Sequence, residues 1–230
     1  MTISVIIPTL NESSTIARTL TRTVALGFDD IVVSDGGSTD ATPVMVQACC
    51  DRVPSTRMVH TATGRARQMN EGAKAAGGQV LVFLHADTEL PADAKSLIET
   101  AMADTQFVGG RFDVRFDRPS RWGSMIRWFM NQRSRVTGIA TGDQAIFVRR
   151  DVFERMGGFA DIPLMEDIEF SRRLKRQGPT AALRQTVTTS FRRWEQQGPL
   201  RTILLMWTLR FLYWLGVHPI RLNTWYRAVR

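Results

Sequence analysis

The sequence predicts an α/β fold: a doubly wound, mixed but mostly parallel sheet with flanking helices, in one domain with a C-terminal helical extension. Three observations point there. Ile3-Ser4-Val5-Ile6-Ile7, Ile31-Val32-Val33 and Val80-Leu81-Val82-Phe83-Leu84 are short, nearly unbroken apolar runs rich in β-branched residues, as strands buried on both faces are. Helix-length segments alternate with them, which is the rhythm of βαβ units. Acidic clusters follow two of the runs directly, Ser34-Asp35-Gly36-Gly37-Ser38-Thr39-Asp40 and His85-Ala86-Asp87-Thr88. In open α/β sheets the carboxyl ends of strands are where ligands bind.

The elements are expected in this order. Strands fall near 3–8, 31–34, 57–60 and 79–84, and helices near 13–26, 40–50, 66–76 and 91–103. Asn11 or Ser13 can cap the first helix and Ser38 or Asp40 the second. Gly27 and Gly77-Gly78 mark helix exits. After residue 105 the rhythm changes. A strand is expected over Phe107–Phe116, a basic and aromatic helix over Pro119–Val136, a strand over Gln144–Val148 and a helix over Leu164–Gln177. Thr186–Phe191 is strand-like. An apolar helix follows over Leu200–Val217, with a short tail after Pro219. Residues 1–195 are expected to form the main domain and 196–230 an apolar, basic helical extension packed on it. No repeat, linker or low-complexity tract is visible.

The chain has 230 residues, 43% of them hydrophobic, enough for a sizeable core. Its net charge of +8 is unevenly placed. Residues 1–115 carry 10 basic and 13 acidic side chains, residues 116–230 carry 20 and 9, and all six tryptophans lie in that second part. A basic half suits a polyanion, an anionic membrane surface or a phosphorylated substrate. Cys49 and Cys50 are adjacent and make poor disulfide geometry, which argues for a reducing compartment. The first residues lack a basic n-region and a cleavage site, so a cytoplasmic location is expected, with peripheral contact at the inner face of the membrane. That contact rests on Ile203–Val217, an apolar run with Arg210 in its middle, framed by Arg201 and Arg221 and by Trp207, Trp214 and Trp225. It is too short to span a bilayer, and reads either as a core helix or as an interfacial one.

Asp35 and Asp87 should face one crevice. Asp35 with Gly36 can recognise a base or ribose, or can simply make a turn. Pro8, Thr9 and Glu12, at the end of the first strand, can line the same site. Gly64 opens a helix whose N-terminus favours an anion, with Arg65 and Arg67 near it and Asn70 one turn further on. This is neither a Walker loop nor G-x-G-x-x-G. His85 and Asp87, two apart on extended chain, point to one side and suit Mn2+ or Mg2+, or His85 is simply a buried histidine with a hydrogen-bond partner. Glu166-Asp167 opens a helix, where it either complements the dipole or supplies a general base. Arg192-Arg193-Trp194 can hold a leaving diphosphate or form a basic surface.

Together, Val5 to Glu12, Val32 to Asp40, Gly64 to Gly72, Phe83 to Thr88, Gly142-Asp143-Gln144-Ala145-Ile146-Phe147, Met165 to Leu174 and Arg192-Arg193-Trp194 resemble the family 2 glycosyltransferases of the GT-A fold. The likeness is close to a bacterial subgroup of short proteins often found beside radical-SAM and selenium-domain genes. It covers the chain to about residue 195. Each motif is weak alone; seven in this order are specific. The resemblance implies an inverting transferase that uses a nucleotide diphosphate sugar, UDP- or GDP-linked, and a divalent cation. It makes Asp35 the base-reading carboxylate, Asp87 the last, metal-binding Asp of D-x-D, and Asp167 the catalytic base, with Glu166 beside it. Pro8, Thr9, Glu12, Gly36, Arg65, Asn70, Ala86 and Arg193 then fall on the nucleotide, and Asp143, Gln144 and Trp194 on the acceptor. His85 stands in place of the first Asp of D-x-D, Ser34 replaces the first Asp of D-D-G-S, and the Gln of Q-x-x-R-W is missing, so processive polymer synthesis is not expected. The acceptor class implied is a hydroxyl or carboxylate, on a lipid or carotenoid among others. Two rival classes remain: a nucleic-acid-binding protein, disfavoured because the basic residues are scattered, and a nucleotidyltransferase, disfavoured by the lack of a Gly-rich, Lys-containing N-terminal loop.

Overall fold

In the computed structural model, residues 1–229 are described, apart from the side chains of Arg193 and of residues 227–229. Strands β1 (Ile3–Thr9), β2 (Asp30–Asp35), β3 (Thr56–His60) and β4 (Val80–Phe83) alternate with helices α1 (Ile16–Ala25), α2 (Thr42–Cys50) and α3 (Arg65–Ala75). Next come β5 (Thr88–Glu89), α4 (Ala94–Ala103), β6 (Gly109–Phe116), α5 (Arg121–Thr137), a 3-10 turn (Gly142–Gln144), β7 (Ile146–Arg149), α6 (Arg150–Arg155) and α7 (Glu166–Gln177). β8 (Thr180–Thr189), α8 (Arg192–Gln197), α9 (Pro199–Trp214) and α10 (Pro219–Val229) complete the described chain.

The eight strands form one sheet in the order β3-β2-β1-β4-β7-β6-β8-β5. The β3-β2-β1-β4 half is parallel. β7 then runs antiparallel to both β4 and β6. The chain winds outward from β1 to β2 and β3, then returns to place β4 on the other side of β1. The gap between the ends of β1 and β4 is therefore the switch point at which a crevice opens.

Alternating side chains of β1 serve two cores, as strands covered on both faces require. Ile3, Val5 and Ile7 pack with Leu20 of α1 and Val46 of α2. Ile6 packs with Met69 and Ala73 of α3 and with Phe83, Phe153, Phe159 and Phe170. In that aromatic group Phe159 stacks on Phe170 at 4.2 Å and meets Phe83 edge-on at 4.8 Å. A third cluster joins Met165 and Ile168, at the start of α7, to Leu209 of α9 and Leu222 of α10.

Local chemistry explains where the elements begin and end. Ser120 caps α5 by accepting from the Gly123 N–H, and Gly138, at φ 68°, ends it in the left-handed region. Helix α1 starts at Ile16, later than its sequence suggests, because Asn11 Oδ1 accepts from the Thr39 N–H across the crevice mouth instead of capping. The strand expected over Thr186–Phe191 is longer and earlier: β8 pairs with β6 from Thr180, through a register shift at Phe112/Asp113. Its first half lacks a continuous apolar run, so only the ladder reveals it. The tail after Pro219 is helical. Helix α9 buries only Thr202 and Leu209, so it is not a core helix, and no helix among the described residues is long and apolar enough to cross a membrane.

Candidate active site

Pro8, Arg65, His85, Gly142, Glu166 and Asp167 line one depression at the β1–β4 switch point, above the aromatic cluster. They arrive on five segments, Glu166 and Asp167 together on α7, and all six positions were sequence candidates or lie in motifs that were.

The side of the crevice formed by β1 and β2 is built by turns. Asp35 is almost wholly buried. Its Oδ2 accepts from the Gly37 and Ser38 N–H groups at 3.0 and 2.9 Å, and its Oδ1 from Ser38 Oγ at 2.5 Å and Thr9 Oγ1 at 3.2 Å. The carboxylate thus organises the β2–α2 turn that would face a base. Gln68, which no sequence pattern singled out, braces the same corner. Its Nε2 donates to the Thr9 and Ser34 carbonyls, and it lies so close to Gly36 that a Cβ there would meet its amide carbon at 2.8 Å. Glu12, at the mouth, accepts from Thr15 Oγ1 at 3.2 Å and has Arg192 Nη2 at 3.8 Å. Burial raises its pKa, and nearby Asp87 raises it further. Ala86 is buried, and its carbonyl accepts from Thr19 Oγ1.

Several expected roles change in the fold. His85 and Asp87 do not lie on extended chain, since the Thr88 N–H closes a turn onto the His85 carbonyl. The two side chains therefore diverge. His85 Nδ1 lies 3.1 Å from Asp143 Oδ1, while its Nε2 is buried without a partner, against Gly142, where a Cβ would come within 2.2 Å. Asp87 is left near Glu12, with one weak hydrogen bond from Thr88. Asn70 does not reach the crevice: both ends of its amide bond the Phe159 backbone. Gln144 is fully buried, bonded to the Thr141 N–H and the Phe112 carbonyl, so it shapes the turn and offers nothing to an acceptor. Arg67 pairs with Asp161 outside the site. Trp194 packs on Phe116 at 6.1 Å, and the Arg193 side chain lies outside the described residues.

The acidic end of α7 forms the opposite wall. Met165, at φ 68°, turns the chain so that Glu166 and Asp167 enter the depression. Asp167 Oδ2 accepts from the Gly142 N–H at 3.0 Å and Oδ1 from the Ile168 N–H at 2.7 Å. Glu166 is buried, with Arg65 Nη1 3.7 Å away. Burial raises the Glu166 pKa, adjacent Asp167 adds to the effect, and Arg65 offsets part of it. Arg65 keeps 56% of its side chain exposed; crowding around the guanidinium works against the cation, but Glu166, Asp143 and Asp167 outweigh it and raise its pKa. Asp143 is 44% exposed on the same side. Two half-buried cations that sequence reading did not place here, Arg133 and Arg210, feel the charges of Asp167 and Asp143.

Among the described residues no cluster of three His, Cys, Asp or Glu side chains could hold a metal ion by itself. The donor set fits a hard cation held differently. Asp87 is one open carboxylate, and Mg2+ or Mn2+ commonly takes one or two carboxylates plus substrate phosphates. His85 fits poorly as a ligand because its unpartnered Nε2 is sealed against Gly142 and does not face an open position.

The sequence pattern of Glycosyl transferase family 2 matches residues 4–157. Undecaprenyl-phosphate 4-deoxy-4-formamido-L-arabinose transferase of Pseudomonas paraeruginosa is 30% identical over 167 residues, covering 67% of this chain and 49% of its own length. The chain thus spans about half the length of the curated relatives it matches. The solved mannosyltransferase PcManGT from Pyrobaculum calidifontis, in complex with GDP-Man and Mn2+, superimposes with a TM-score of 0.66 at 23% identity, over 82% of this chain and 56% of that one. S. aureus TarS 1–349 in complex with UDP-GlcNAc gives 0.63 at 19% identity, over 83% and 56%. These superpositions show a shared fold, and with the match over residues 4–157 it follows that the chain belongs to glycosyl transferase family 2, with the GT-A fold.

Proposed function

We propose that the chain transfers a sugar from a nucleotide diphosphate sugar, UDP- or GDP-linked, to an acceptor carried on a lipid, with inversion at the anomeric carbon. The observation that carries this reading is the convergence of Asp167 and Glu166 with Arg65 at the switch point, opposite the Asp35 turn. The Asp35 turn and Pro8–Thr9 receive the base and ribose. Asp87, with Glu12 near it, faces the diphosphate and would hold Mn2+ or Mg2+ there. A bound divalent cation would neutralise charge that builds on the departing diphosphate. Arg65 adds fixed positive charge beside it. Asp167 takes the proton of the acceptor group as its oxygen bonds to the anomeric carbon and the bond to the diphosphate breaks. The Gly142 N–H holds Asp167 in place for this step. A lipid acceptor is supported by the relatives named for undecaprenyl phosphate and by the exposed apolar surface of α9, where Trp207 and Trp214 are 65% and 69% exposed.

Thermal-shift titration with UDP- and GDP-sugars tests the donor half of this reading. Native-state binding stabilises the fold by mass action, by about 2.7 kcal/mol at a ligand concentration 100-fold above Kd, and so raises the melting temperature. The shift should require Mn2+ or Mg2+ and vanish in Asp87→Ala. An equal shift in excess chelator would place the diphosphate elsewhere.

A further inference from the structure

Arg133 on α5 and Arg210 on α9 are the least compensated charges of the crevice. Arg133 Nη2 and Arg210 Nε are buried and have no hydrogen-bond partner among the described residues. No ion pair among those residues reaches either guanidinium, although Arg65, which feels the same Asp167 and Asp143, is paired with Glu166. Both groups feel Asp167 and Asp143, and Arg133 also feels Arg210, so the two cations converge on the acidic wall from outside it. Burial pushes the Arg133 pKa down to about 10, and the like charge of Arg210 adds to the effect. Two like charges held together with buried N–H groups unmade are costly in the free protein, and such a cost persists where a ligand removes it. The missing partner must be anionic, rich in acceptor oxygens and on the acceptor side of Asp167.

We propose that Arg133 and Arg210 form the seat for a phosphate group of the acceptor. A planar guanidinium presents forked N–H donors that match phosphate oxygens, and two of them meet one phosphate from two helices. The proposal rests on reading the crevice as the transfer site. It also agrees with the role of Asp167: a phosphate monoanion still carries one O–H. Its oxygen can form the bond to the anomeric carbon while the bond to the diphosphate breaks, and the proton passes to Asp167. Phosphate on a lipid and phosphate on a soluble molecule share this chemistry.

The test is calorimetric titration of the full chain with decyl phosphate, decanol and inorganic phosphate, for wild type, Arg133→Gln, Arg210→Gln and the double variant. Decyl phosphate should bind, and each substitution should weaken it about 10- to 100-fold, the worth of a charge-assisted hydrogen bond. The double variant should melt no lower than wild type, because it removes unpaired buried charge; a merely structural pair would lower it. Inorganic phosphate that binds as tightly as decyl phosphate supports the seat and assigns it to a soluble acceptor; much weaker binding supports the seat with a lipid. Decanol binding wild type as well as decyl phosphate does, or variants within twofold of wild type, overturns the seat, and the decanol comparison needs no variant to fold. Loss of UDP and GDP binding in Mn2+, with decyl phosphate binding intact, would overturn the transferase reading and leave the seat standing.

Discussion

Replacing Asp167 by Asn tests the assignment of the base, and the structure supplies two separate magnitudes for it. The substitution keeps size and removes basicity. A positioned general base is worth about 10²–10⁴-fold in rate, so turnover should fall by that factor. The second magnitude concerns the fold. Asp167 accepts from two backbone N–H groups, Gly142 through Oδ2 and Ile168 through Oδ1. An Asn side chain offers one oxygen and turns an NH2 toward the other donor. One N–H is left unmade, at roughly 1–3 kcal/mol. For a chain of this size each kcal/mol shifts Tm by about 2–4 °C, so the variant should melt about 2–12 °C lower. Turnover is read as nucleotide release, with water in place of the acceptor if none is known. Donor affinity, read by calorimetry, should stay within a few-fold, since Asp167 stands on the acceptor wall. Near wild-type turnover in a variant that melts lower as expected would refute the assignment and make Glu166 or Asp143 the next base to test. A matching loss of donor affinity would refute its placement on the acceptor side.

Other outcomes follow from the same geometry. Burial and neighbouring Asp167 raise the Glu166 pKa above its ordinary value of 4.5, so the folded state binds that proton more tightly than the unfolded state does. Stability from this group is therefore present below pH 4.5 and is lost as pH rises through the raised pKa. Glu166→Gln should accordingly melt at or above wild type at pH 7, with the gap closing toward pH 4.5; a variant that is less stable at every pH contradicts the sign. Asp35→Ala removes four accepted hydrogen bonds and should cost about 2–4 kcal/mol in urea unfolding, with weaker uridine or guanosine diphosphate binding; unchanged affinity would remove Asp35 from the nucleotide site. The exposed Trp207 and Trp214 should carry the protein onto anionic vesicles at low salt, and added salt should release it. Co-sedimentation that fails even at low salt would leave that surface without a membrane role.

The parallel half of the sheet was legible because its strands are buried on both faces. Burial from two sides demands unbroken apolar runs, and such runs are visible without a structure. The carboxylates after β2 and β4 and the pair opening α7 were legible for a related reason: strand ends and helix starts have local signatures. Contacts made at long range had none. Nothing near Asn70 announces that Phe159 will occupy its amide, and nothing near Gln144 announces that it will be buried under Phe112. His85 looked like a ligand because it was read on straight chain; one backbone hydrogen bond, from Thr88 to His85, turns it toward Asp143 instead. Gln68, Arg133 and Arg210 sit on helices whose local patterns would suit solvent or core equally well. Their places at the crevice come from how α3, α5 and α9 pack, because a side chain's surroundings are set by residues tens to hundreds of positions away. The types of residue proposed to act were thus written locally, while their partners came from folding.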